Sequence, residues 1–287
     1  MPLVSAARLL KAAAAGGYAV GAFNCNNMEL VQAIITAAEA ENAPVILQAS
    51  QGAIKYAGLA YISTLARTAV AGTSVPVALH LDHGTSFEQA LRCITAGFSS
   101  VMIDGSRLPF AENVALTQRV VDVAHVLGVS VEAELGKIGG TEDDVSVSEA
   151  EAFFTDPDEA GRFVSETGVD SLAVAVGTAH GRYRGEPRLD FERLSLIASR
   201  VNIPLVLHGS SGVPPEAIRE AIRRGICKVN IDTDIREGFT NAMRRVLEAD
   251  SDEIDPRKVL GPAREEATAV IREKIRIFGS ANKANEI

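Results

Sequence analysis

Val77-Ala78-Leu79-His80-Leu81-Asp82-His83-Gly84 is an apolar run that stops abruptly in histidines, a carboxylate and a glycine. β-favouring residues that end in ionisable groups read as a buried parallel strand whose C-terminal tip opens into a site, because α/β sheets collect function at strand C-termini. Taken alone, the cluster serves equally well as a hydrogen-bonded polar knot under a loop. The flanking sequence has to decide between the two.

Upstream, residues 5–15 read as a helix capped by Ser5 and stopped by Gly16-Gly17. Residues 18–23 form a short apolar strand with 24–27 as its polar exit, 28–41 carry apolar residues at helical spacing, and 45–49 form a second strand ending at Ser50. A helix over 59–71 leads into the quoted strand. Downstream, 86–96 is helical, 100–103 is a strand ending in Asp104, Pro109 opens a helix that runs to 127, and 130–135 is strand five.

After Gly136 the alternation breaks. Residues 137–145 hold two adjacent glycines and several acids without an apolar period, so they read as a mobile loop, extended by an irregular acidic stretch to 155. Asp156-Pro157 then caps a helix to 167, and strand six (171–176) ends in Gly177-Thr-Ala-His180-Gly181. A helix over 190–200, strand seven (204–208) with a Gly/Ser-rich exit, a helix over 214–224 and strand eight (227–231) follow, and two helices, about 235–249 and 263–278, finish the chain.

Eight strands alternating with helices over about 230 residues is the count of an α/β (β/α)8 TIM barrel. The expectation is a single domain over 1–287, with a core about 18–249, an extra N-terminal helix and a C-terminal helical extension about 250–287. A doubly wound open sheet is the competitor. It announces itself by Gly-x-Gly-x-x-Gly after strand one, which this chain lacks.

A chain of 287 residues with 47% hydrophobic and 23% charged content is large enough for a sizeable core. Its 3 cysteines, Cys25, Cys93 and Cys227, are far apart, which argues for a reducing compartment and against a thiolate zinc site. Ala12–Ala15 is too short for a signal core and no run approaches a membrane span, so the expected place is the cytoplasm, with no membrane partner. A net charge of -9 argues against nucleic acid, whose binding needs a basic face. Phosphate binding then has to be local, through backbone amides, a metal or a few arginines.

In a barrel all strand exits share one rim, so residues a hundred positions apart become neighbours. The ionisable exits are Asp82, His83, Asp104, Glu132, Glu134, His180, His208 and Asp232. His83, His180 and His208 come from three strands and each is followed by glycine, which lets the backbone approach a metal or substrate without a Cβ clash. Three imidazoles with an open fourth position are the pattern of a catalytic zinc, cobalt or iron site. His80 shares a strand face with Asp82 and is expected to support that carboxylate from below, whereas His125 lies in a helical pattern and reads as structural. Glu134 is placed to reach the metal, to hold a second cation with Asp104, or to make a supporting hydrogen bond. Gly209-Ser210-Ser211-Gly212 and Asn230-Ile-Asp-Thr233 follow strands seven and eight, where barrels bind phosphate.

The stretches 17–24, 80–84, 100–104, 131–136, 139–144, 177–181, 207–212 and 255–258 together resemble the class II, metal-dependent ketose-bisphosphate aldolases, the family of zinc-dependent fructose-bisphosphate and tagatose-bisphosphate aldolases. The resemblance implies that His83, His180 and His208 hold a catalytic Zn2+ and that Asp82 is the acid/base at the carbon 4 hydroxyl. It assigns Glu142 as the base acting on dihydroxyacetone phosphate, and Asp104 and Glu134 as ligands of a second metal. A monovalent cation is a further candidate. Gly181, Gly209, Ser211, Asn230 and Thr233 match the phosphate cradle, with Ser210 beside them, Ser50 a contact to the other end of the sugar, and Arg257 an arginine that reaches the distal phosphate of a neighbouring subunit in a homodimer or homotetramer.

The implied reaction cleaves fructose 1,6-bisphosphate to two triose phosphates through a zinc-stabilised enediolate. A Schiff-base mechanism is disfavoured because strand six holds no lysine and Lys228 sits at the start of strand eight. Asp232, Asp234 and Arg236, nearest the sugar, favour the fructose substrate, while 177–181 and 225–228 also resemble tagatose-bisphosphate enzymes. More remote alternatives are another metal-dependent barrel enzyme, such as a hydrolase, and a non-catalytic sugar-phosphate-binding barrel.

Overall fold

The computed structural model describes residues 3–142, 145–147, 153–183 and 185–287. The chain runs through α1 (Ala6–Gly16), β1 (Val20–Asn24), α2 (Met28–Ala40), β2 (Val45–Ser50), α3 (Gln51–Ala57), α4 (Leu59–Ala71), β3 (Val77–Gly84), α5 (Phe87–Thr95), β4 (Ser100–Ile103), α6 (Phe110–Val126) and β5 (Ser130–Leu135). It continues through β6 (Gly139–Glu142), β7 (Val145–Val147), α7 (Pro157–Thr167), β8 (Ser171–Val174), β9 (Ala179–His180), α8 (Phe191–Arg200), β10 (Leu205–Leu207), α9 (Pro215–Arg223), β11 (Ile226–Ile231), α10 (Thr233–Ala249) and α11 (Pro256–Phe278).

Eight parallel strands close into a barrel in the order β1-β11-β10-β8-β5-β4-β3-β2. All eight expected strands are present, and every residue of β3 is buried. That follows from the architecture: interior side chains cover one face and the helical ring the other, so a strand needs no polar side. The register sets the levels of the site. Gln48 lies beside His80 and Ser50 beside Asp82, while Asn24 lies beside Gln48 and Val20 beside Lys228.

Three departures from the sequence reading have physical causes. The expected loop after strand five contains β6, which pairs with β7 and with β9 in a three-stranded sheet. Its glycines permit this pairing: a Cβ on Gly140 would lie 2.2 Å from the His180 carbonyl oxygen, and its φ is +95°. Residues 143–144 and 148–152 of that expected loop lie outside the described residues. The short helix α3 is not among the expected elements; Ser50 caps it, accepting from the Ala53 amide at 3.2 Å. Finally, α11 begins at Pro256 rather than 263. Pro256 occupies a first-turn position that needs no donor, Asp255 caps the Arg257 amide, and Pro262, which reads as a boundary, sits inside the helix.

Among the described residues, no helix is long and apolar enough to cross a membrane. α11 packs along α2 and buries Ile271, Ile275 and Phe278. Glu41, at the end of α2, accepts from Arg272 Nε at 2.7 Å and from Arg276 Nη2 at 2.7 Å and Nε at 2.9 Å. The Arg276 hydrogen bonds, against the opposing effect of burial, lower the Glu41 pKa below its ordinary 4.5. Its contribution is therefore present above pH 4.5 and lost as pH falls through the lowered folded-state value. Glu41→Gln is expected to lower Tm by roughly 2–4 °C at neutral pH. In a pH series of melts, the gap to wild type should close in acid, below the ordinary carboxylate range.

Candidate active site

A strict period of two puts His80 and Asp82 on one face of β3 and His83 on the other. The structure breaks that period. Register against β4 shifts between Leu81 and Gly84, and His83 takes φ +47°, a left-handed conformation that non-glycine residues seldom adopt. Asp82 and His83 consequently both reach the barrel interior, where Asp82 Oδ1 accepts from Asn230 at 3.3 Å and His83 Nε2 lies 2.9 Å from His208 Nδ1. Strain of this kind persists only where surrounding structure enforces it. The following glycine serves that enforcement: a Cβ on Gly84 would meet the Met102 carbonyl oxygen at 2.6 Å. Its missing side chain thus makes room for β4, rather than for a metal or substrate as the sequence reading expects.

The three rim histidines converge. Ring centroids of His83 lie 5.0 Å from His180 and 4.7 Å from His208, and one ligand atom from each imidazole lies within 4.8 Å of the others. His83 Nδ1 is 2.9 Å from Asp104 Oδ2, and His208 Nε2 is 2.9 Å from Glu132 Oε1. A carboxylate accepts, so these two nitrogens are assigned the hydrogens, and the facing His83 Nε2 and His208 Nδ1 present lone pairs to one another. Two lone pairs at 2.9 Å with a third imidazole beside them fit a divalent cation held between them. Burial, against the opposing Glu132 hydrogen bond, holds His208 down to about 4, so it is neutral at pH 7 as a ligand must be.

His83, Asp104 and Glu134 form a second cluster of the same compactness. Burial raises the Asp104 pKa, but the hydrogen bonds from His83 and the Ser106 amide outweigh it and hold the group below the usual carboxylate range. Burial and then the Asp104 charge push Glu134 well above it. The buried Oε2 of Glu134 has no hydrogen-bond partner among the described residues, an orphaned acceptor that suits a second cation.

Asp82 is fully buried and gathered by amides. Its Oδ2 accepts from Asn24 at 3.0 Å and Gln48 at 3.1 Å, and Asn230 reaches Oδ1. His80 does not brace it: its Nδ1 faces Ser100 Oγ at 2.7 Å and its Nε2 faces Lys228 Nζ at 3.2 Å. Asn24, Gln48 and Lys228 are the functional candidates that the sequence reading missed. The available signal was a polar side chain inside an otherwise apolar strand, in Val-Ile-Leu-Gln48 and in Cys-Lys228-Val-Asn230.

Beside the histidines lies a cavity of about 110 Å³ lined by Gly181, Gly209, Ser210, Ser211, Asn230, Asp232, Thr233 and Arg236, with Asn24 and His180. Ser211 Oγ accepts from the Asp232 and Asp234 amides at 3.3 Å, which ties the exit of β10 to the N-terminus of α10. Backbone donors and a helix N-terminus give this corner a chemistry that suits an anion. Arg236 pairs with Asp232 at 2.7 Å. Asp234 does not line the cavity; it pairs with Lys274 of α11 at 2.5 Å and accepts from the Gly212 amide at 3.4 Å. Ser50 stands beside Asp82 in register, its hydroxyl engaged in the α3 cap. Arg257 is 90% exposed and forks onto Asp255, away from the cavity lining. The side chain of Glu142 lies outside the described residues; its backbone ends β6.

A closed barrel with clustered imidazoles and an adjoining polar cavity at the strand ends defines a (β/α)8 protein with a candidate metal centre. The model of the fructose-bisphosphate aldolase class-II family matches residues 4–283, and the chain belongs to that family. It is 47% identical over 287 residues to a fructose-bisphosphate aldolase of Staphylococcus epidermidis, covering 99% of this chain and 100% of that one. It is 48% identical to the fructose-bisphosphate aldolase of Thermus caldophilus, covering 98% and 100%. Among solved structures, the YdjI aldolase from Escherichia coli K12 superposes with a TM-score of 0.85 at 34% identity, covering 98% of this chain and 99% of that one.

Proposed function

We propose that the protein reversibly cleaves fructose 1,6-bisphosphate to dihydroxyacetone phosphate and glyceraldehyde 3-phosphate. The observation that carries this reading is the juxtaposition at one barrel mouth of three facing imidazoles, a buried carboxylate and an anion-sized cavity. Family membership and the names of the full-length relatives support the substrate.

His83, His180 and His208 are the residues that would hold the catalytic metal, read as Zn2+, and Asp104 and Glu134 those that would hold a second cation. Bound there, the metal supplies Lewis-acid stabilisation of the negative charge that develops on substrate oxygens as the bond between carbons 3 and 4 breaks. Asp82 takes the proton from the carbon 4 hydroxyl; the amides of Asn24, Gln48 and Asn230 hold its two oxygens in position while it does so. Glu142 returns a proton to carbon 3. Gly181, Gly209, Ser211 and Thr233 bind the phosphate next to carbon 1, and the Asp232–Arg236 pair offers an acceptor and a cation beside it.

The test compares cleavage of fructose and tagatose 1,6-bisphosphates before and after EDTA treatment. Fructose cleavage that stops with the metal and returns with Zn2+ is the expected result. Activity surviving complete metal removal sinks the metal role, and preference for the tagatose substrate overturns the specificity. Arg257 fits a contact made across a subunit boundary of a homo-oligomer, since it is exposed on its own chain. Arg257→Ala is expected to raise KM for the bisphosphate about 10-fold, with kcat less affected. An unchanged KM removes Arg257 from the substrate site.

A further inference from the structure

His83 and His208 are oriented from opposite sides. The partner of His83, Asp104, lies at the rim, but the partner of His208 lies deep in the barrel and has a partner of its own. Glu132 gives Oε1 to His208 Nε2 at 2.9 Å and Oε2 to Lys228 Nζ at 2.7 Å. Lys228 is fully buried in β11, and a buried ammonium is strongly unfavourable unless it is paired and hydrogen-bonded. Here it is both: Nζ also lies 3.2 Å from His80 Nε2, and His80 Nδ1 is fixed by Ser100 Oγ at 2.7 Å. The ring orientation is therefore set by a chain that runs from Ser100 through His80, Lys228 and Glu132 to His208.

We propose that Lys228 is a positioning residue for the candidate metal centre, holding Glu132 as the fixed acceptor that sets the ring orientation and tautomer of His208. The inference rests on the reading that His83, His180 and His208 bind a divalent ion. Its logic is geometric. Lys228 engages one Glu132 oxygen, which leaves the other pointed at His208 Nε2, and an acceptor there keeps the hydrogen on Nε2 and the lone pair on Nδ1, the atom facing His83. Asn230, two residues along the same strand face, touches the His208 ring at 3.3 Å and narrows its freedom further.

The experiment titrates metal-free protein with Zn2+ against a chromophoric chelator, for wild type, Lys228→Met, Glu132→Gln and the double variant. Lys228→Met and Glu132→Gln are each expected to weaken Zn2+ binding about 10–100-fold, and the double variant no more than the weaker single, because the lysine acts through the carboxylate. The Co2+-loaded variants should show altered d–d absorption. Long-range 1H–15N correlation of metal-free wild type should find the His208 hydrogen on Nε2, a readout that needs no variant to fold. Lys228→Met binding Zn2+ as tightly as wild type, fully additive losses in the double variant, or a wild-type His208 protonated at Nδ1 each overturn the proposal. Wild type that binds no Zn2+ removes the metal reading itself, a result distinct from those three.

Discussion

Asp82→Ala is expected to lower kcat for fructose 1,6-bisphosphate cleavage by about 10²–10⁴-fold while the protein retains wild-type zinc content. The size follows from the loss of a positioned acid/base whose proton transfer is part of bond cleavage. Retention of metal is expected because, among the described residues, Asp82 binds the side-chain amides of Asn24, Gln48 and Asn230 and belongs to neither ligand cluster. Those amides lose a buried acceptor, so the variant should also be less stable by about 1–3 kcal/mol. Steady-state kinetics, metal analysis and a thermal melt separate the effects. Turnover within a few-fold of wild type would remove Asp82 from the proton transfer, and loss of zinc would reassign it to holding the metal site.

The second large effect is at His83. His83→Ala removes one of three imidazoles and should abolish stoichiometric Zn2+ binding at micromolar metal. Lewis-acid stabilisation is worth several kcal/mol, and each 1.36 kcal/mol is tenfold in rate, so kcat should fall about 10³-fold or more. The same variant offers an internal control. His83 sits at φ +47°, so its replacement leaves the same strained backbone without the side-chain contacts that hold it, and Asp104 and Glu134 lose the imidazole that completes the second cluster. A variant that keeps full zinc occupancy and turnover shows that the other residues suffice as ligands.

Much of the barrel was legible because strand and helix periods depend on local composition. Residues 77–84 read as a buried strand, 100–103 and 130–135 as its successors, and the rim histidines as neighbours once eight strands were counted. The β6–β9 pairing was not legible, since its strands are two to four residues long and carry no apolar period of their own. The start of α11 was hidden by Pro262, which marks a boundary by local rules but is tolerated where helix packing on α2 supplies the stability.

The quoted stretch shows where local information ends. By its own period of two, Val77–Gly84 sends Asp82 into the barrel with His80 and turns His83 away; composition determined that this was a buried strand with a reactive tip. The register shift against β4 and the positive φ at His83 brought Asp82 and His83 inward together, and contacts from β1, β2 and β11 assigned the brace of Asp82 to Asn24, Gln48 and Asn230 while His80 went to Lys228. A sequence determines which side chains a strand carries and how they alternate. Which of them meet across a barrel depends on stagger between strands, a property of closure that no single strand encodes.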